Sequence, residues 1–114
     1  MSKSVKLRTE QLETVQQILK KHLTDNTLVW VFGSRATDTV KEYSDLDIAL
    51  QQENGQRLEF GLLVKLMDDF EESNLPFKVD VVDYNAASGI FKQNIDSQKI
   101  KLTDRNRISP SCLK

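Results

Sequence analysis

Leu12, Val15, Ile18, Leu19 and Leu23 recur at intervals of three and four, which predicts an amphipathic helix from about Thr9 to Leu23. Thr9 can cap its start, and Lys20, Lys21 and His22 suit the negative end of its dipole, with His22 expected as a solvated partner there. Past the turn at Asp25-Asn26, the unbroken apolar run from Thr27 to Phe32 predicts a strand covered on both faces, with Trp30 in the core. A short helix is expected after Ser34, and Tyr43 to Leu50 reads as a second strand. The polar connection Gln51 to Gln56 leads to Leu58, Leu62, Leu66 and Phe70 at successive fours, predicting a helix from about Arg57 to Ser73. Asn74-Leu75-Pro76 stops that helix, whose Asp68, Asp69, Glu71 and Glu72 are expected on an exposed end. Phe77 to Val82 forms a third strand, and Ala86 to Ile95 a further helix capped by Asp83 or Asn85. Ser97 to Leu102 adds a short edge strand. The order α-β-α-β-α-β-α implies an α/β (α+β) fold, a small mixed β-sheet flanked by helices. Residues 1–103 are expected to form the domain and 104–114 a flexible tail.

Bulk properties narrow the field. A chain of 114 residues holds one core but not a second substrate domain, so such a domain has to borrow binding surface from a partner. With 16 basic and 17 acidic residues the net charge is −1, so no direct nucleic-acid binding is expected. Cys112 is the single cysteine and is expected to be an incidental thiol; no internal disulfide can form. Met1 to Lys6 lacks the apolar core of a signal peptide, and no segment reaches membrane-spanning length, so a cytoplasmic location is expected.

The chemistry concentrates after the first strand. Gly33-Ser34 forms a turn with exposed amides leading into a short helix, which suits a phosphate. Ten residues separate Ser34 from Asp45, and Asp47 follows with one residue between. On a strand, residues two apart share a face and lie about 7 Å apart at Cα, so Asp45 and Asp47 project together while Leu46, Ile48 and Leu50 face the other way. Paired carboxylates repel unless a cation intervenes, and a divalent metal is the usual one. In the third strand Phe77, Val79 and Val81 face the core, so Asp80 points away and joins the other two if the strands are neighbours. Three carboxylates beside a phosphate turn match a two-metal site for nucleotidyl transfer.

Gly33-Ser34, the ten-residue gap, Asp45-Leu46-Asp47 and the acidic strand Val79-Asp80-Val81 resemble the minimal nucleotidyltransferases of the DNA polymerase beta superfamily. The resemblance spans about Thr9 to Leu102 and implies the polymerase beta-like nucleotidyltransferase fold. It also implies Asp45, Asp47 and Asp80 as catalytic residues and ligands of two Mg²⁺, with ATP as substrate. Gly33, Ser34, Arg35 and Lys41 would bind the nucleotide. Members this short are similar to the antitoxin half of HEPN–MNT pairs, in which AMP is added to a tyrosine of a HEPN toxin, so a HEPN-type partner in a hetero-oligomer is implied. The chain departs from the pattern at Thr37-Asp38, where many relatives carry Arg-Gly, losing a cation and gaining an anion near the triphosphate. Two alternatives stay open: an antitoxin that neutralises its partner by steric contact, and a small-molecule nucleotidyltransferase. With helices covering one face of the sheet, the metal-bearing face is expected to be open to an acceptor.

Overall fold

The computed structural model describes residues 7–37 and 44–102. Its elements are α1 (Thr9–His22), β1 (Thr27–Phe32), a 3₁₀ turn (Gly33–Ala36), β2 (Leu46–Gln52), α2 (Phe60–Glu72), β3 (Val79–Asp83), a second 3₁₀ turn (Tyr84–Ala86), α3 (Gly89–Gln98) and β4 (Ile100–Lys101). The order of elements is the expected one, and the differences lie at their ends.

Hydrogen bonding from distant residues explains those ends. The Leu58 amide donates to Asp83 Oδ2 at 2.7 Å, which ties the chain before α2 to the end of β3, and Glu59 is extended, so α2 starts at Phe60 rather than Arg57. Asp83 Oδ1 accepts from the Asn85 amide at 3.1 Å and caps the second 3₁₀ turn, while Ser88 caps α3 by accepting from the Phe91 amide. The helix expected at 86–95 is thereby displaced to 89–98. At α1, Arg8 occupies the cap position and its amide donates to Gln11 Oε1 at 3.0 Å; Thr9 is the first helical residue.

The strands form one mixed sheet in the order β3-β2-β1-β4. β1 runs antiparallel to β2 and β4, whereas β2 and β3 are parallel and joined through α2. One face carries Val31, Leu46, Ile48, Leu50, Val79 and Val81, packed against Val15 and Leu19 of α1 and Leu66 and Phe70 of α2. This is the main core. The opposite face is not bare, contrary to the expectation of an uncovered metal face. The rings of Phe32 and Phe91 meet edge to face at 5.9 Å, and the Lys99 ammonium lies 4.2 Å over the Trp30 ring. Those contacts seat α3 on that face, where Ile95 is fully buried outside the main cluster.

Trp30 accordingly lies under α3, half-buried, with its Nε1 donating to Gln51 Oε1 at 2.8 Å, and is not part of the main core. His22 is not a solvated dipole partner either: its Nε2 lies 2.6 Å from Asp69 Oδ2, tying the end of α1 to α2. Among the described residues no helix is long and apolar enough to cross a membrane. Asp38, Lys41, Tyr43, Cys112 and the segment 104–114 lie outside the described residues.

Candidate active site

The sheet register decides which side chains meet. Phe32 pairs with Asp47, and Asp47 pairs with Asp80, so the two residues stand side by side on neighbouring parallel strands, whose backbones are about 4.8 Å apart in the hydrogen-bonding direction. Asp45 lies just before β2, exposed, two residues from Asp47 and hence on the same face. The structure therefore brings Asp45, Asp47 and Asp80 to one end of the sheet, where β1 finishes and β2 and β3 begin.

The Asp47 carboxyl shows the tension of that arrangement. Partial burial raises its pKa above the ordinary carboxylate value, and the charges of Asp80 and Asp45 raise it further. Asp80 forms an exposed ion pair with Lys78, whose Nζ is 3.5 Å from Asp80 Oδ1. Among the described residues no three such side chains already stand in ligand geometry. The donor set nonetheless fits magnesium. It is made of hard carboxylate oxygens only, and it gathers negative charge that a divalent cation would neutralise.

Gly33 completes the end of β1. Its φ is 77°, a left-handed value that glycine adopts without a steric cost, and a Cβ at this position would collide with the Asp47 carboxylate. The turn thus needs glycine twice, for its backbone and for the room it leaves to Asp47. Ser34 lies within the 3₁₀ turn, and its carbonyl accepts from the Thr37 amide and hydroxyl at 3.2 and 3.3 Å.

Two of the residues expected to bind nucleotide are placed differently from a simple phosphate cradle. The Gly33 amide donates to Gln98 Oε1 at 2.9 Å, so it is directed at α3. Arg35 is only 4% exposed, its guanidinium stacked 4.1 Å over the Phe77 ring and its Nε donating to the Ser44 carbonyl at 3.0 Å. These contacts tie together the two sides of the segment between the turn and β2. Lys41 lies outside the described residues. Gln98 carried no sequence signal, because its partner is 65 residues away and only the packing of α3 brings them together. Asp83, expected to cap the helix now seen as α3, caps the second 3₁₀ turn instead and is occupied with backbone amides on the other face of the sheet.

Residues 13–108 match the family described as polymerase beta, nucleotidyltransferase. The chain is 35% identical over 101 residues to the probable protein adenylyltransferase MntA of Haemophilus influenzae, covering 89% of this chain and 86% of that protein. Its structure is similar to a chain in a crystal structure of a toxin–antitoxin with AMP-PNP, with a TM-score of 0.66 and 26% identity, covering 84% of this chain and 77% of that one. It shares its fold with a chain of the tri-AMPylated HEPN toxin in complex with MNT antitoxin from Shewanella oneidensis, at a TM-score of 0.63 and 20% identity, over 89% and 82% of the two chains. With the carboxylates in register beside a glycine turn and the family match running over most of its length, this chain belongs to the polymerase beta nucleotidyltransferase family.

Proposed function

We propose that the protein is a cytoplasmic antitoxin that transfers AMP from ATP to a tyrosine hydroxyl of a HEPN-type partner. The observation that carries the chemistry is the row Asp47–Asp80 with Asp45 on the same face, beside the Gly33-Ser34 turn. The relative with 35% identity is named a probable protein adenylyltransferase, and a similar chain was crystallised as a toxin–antitoxin with AMP-PNP, which support the acceptor class and the nucleotide.

Two Mg²⁺ held by Asp45, Asp47 and Asp80 would supply charge neutralisation of the triphosphate and a more acidic acceptor hydroxyl. The chain's own residues do the rest. The Ser34 amide and hydroxyl face the terminal phosphates at the turn. Asp80, on the edge strand β3, accepts the acceptor proton from the open side of the sheet. The new bond joins the acceptor oxygen to the α-phosphorus as the bond to pyrophosphate breaks. Arg35 acts through position, anchoring the segment that leads to Asp45. Because α3 already covers part of the metal-bearing face, a docked partner has to provide the remaining wall and hold its hydroxyl at high effective concentration.

The test is intact-mass spectrometry of a HEPN-type partner protein, incubated with ATP, Mg²⁺ and the protein. Mass should rise in AMP units with wild type and not with Asp80→Asn. A partner bound and silenced without any mass change would replace transfer by steric neutralisation.

A further inference from the structure

We infer that Gln98 is a positioning residue of the nucleotidyl-transfer site: its carbonyl oxygen takes the Gly33 amide and holds the glycine turn against the Asp47 carboxylate. The inference rests on the transfer reading for what is being positioned, while the contact itself stands on geometry.

Glycine at a strand-to-turn junction is the least restrained residue of the backbone. With φ at 77°, the peptide joining Phe32 to Gly33 needs something to fix its plane. The Gln98 Oε1 atom does so at 2.9 Å. Because the amide N–H is a donor, it fixes the orientation of the Gln98 side chain as well, oxygen inward.

Gln98 is held firmly enough for this purpose. It is the last residue of α3, and its neighbours on both sides are anchored. Ile95 is fully buried, and the Lys99 amide donates to the Ile95 carbonyl at 2.8 Å. The Lys99 ammonium sits 2.8 Å from Asp96 Oδ1 and 4.2 Å over the Trp30 ring. Two turns before Gln98, Phe91 braces Phe32, the residue that pairs with Asp47 in the sheet. The end of α3 and the row Phe32–Asp47–Asp80 thus form one rigid assembly, and Gln98 is its polar link to the turn. Removing the link lets the glycine peptide rotate, and the Asp47 carboxylate loses the surface it rests on. Displacements of this kind cost about a hundredfold in rate when they move a reacting group by an ångström.

The chain has four glycines, so ¹⁵N-glycine labelling yields four amide signals and isolates Gly33. Gln98→Leu, and Gln98→Asn whose shorter side chain falls out of reach, should each shift the Gly33 amide signal upfield. Both should lower kcat for AMP transfer at least tenfold with KM for ATP changed less than threefold. Gln98→Glu keeps an acceptor in reach, so the Gly33 signal should stay near its wild-type position and most of kcat should return, while the added charge raises KM. An unmoved Gly33 signal in the Leu and Asn variants overturns the inference, as does an unchanged kcat. A lowered KM also overturns it, because Gln98 would then be a plug that the triphosphate displaces. Should wild type transfer no AMP at all, the transfer reading fails separately. Broadening of the Gly33 signal by Mn²⁺ alone then decides: a severalfold higher Mn²⁺ requirement in Gln98→Leu and Gln98→Asn supports the positioning role, and equal requirements refute it.

Discussion

Gly33 and Gly55 both have left-handed backbones, with φ of 77° and 80°, but only Gly33 has a neighbour where its Cβ would be. Alanine at Gly55 should therefore cost backbone strain alone, about 1–2 kcal/mol. Alanine at Gly33 should cost that and the collision with Asp47 as well, and the excess should shrink when Asp47 is also changed to Ala. Urea unfolding of the single and double variants measures it; equal losses at the two glycines would mean that the Asp47 carboxylate does not rest on the turn. Asp83 is a different kind of single-residue anchor. It is buried at 8% exposure and accepts from two backbone amides, so Asp83→Ala should cost about 1–3 kcal/mol and fray the start of α2. Hydrogen exchange at the Leu58 amide reads that directly.

Between elements, the α1–α2 junction depends on a charged contact that periodicity does not reveal. The hydrogen bond from His22, with the Lys21 ammonium at 3.5 Å, holds the Asp69 carboxyl below its ordinary pKa of 3.8. A lowered folded-state value means that this carboxylate stabilises the fold above the unfolded pKa, and the contribution is lost as pH falls through the lower folded value. Thermal melts should thus show Asp69→Asn less stable than wild type at neutral pH, with the two curves converging below pH 3.8. A difference that persists undiminished in acid would assign the effect to packing. The same lesson holds for the ends of α2 and α3. Apolar spacing predicted their existence and their buried faces, while Asp83 and Ser88 decided where they begin.

For the molecule as a whole, three carboxylates at one end of the sheet should repel a triphosphate in the absence of divalent metal. ATP binding measured by calorimetry should be weak in EDTA and strengthen at least tenfold with Mg²⁺ or Mn²⁺. Equal affinity in both conditions would remove the metal assignment from Asp45, Asp47 and Asp80. The placement of α3 over Trp30 and Phe32 limits the open surface near these residues, which is why the protein alone should turn over ATP slowly.

The chain's own pattern determined the element order, the main core and the shared face of Asp45 and Asp47, since period-two and period-four spacing are local properties of strands and helices. It also marked Asp80 as a carboxylate turned away from the core. What no local pattern contains is which strands become neighbours and in what register. Only the parallel pairing of β2 with β3 sets Asp80 beside Asp47, and only the return of α3 across β1 brings Gln98 to the Gly33 amide. The placement of Arg35 belongs to the same class: a cation next to Gly-Ser suits a phosphate in sequence, but the folded chain buries it on Phe77, 42 positions away. Such contacts are settled by packing between segments distant in the chain, where burial and hydrogen-bond satisfaction act on side chains that the sequence keeps apart.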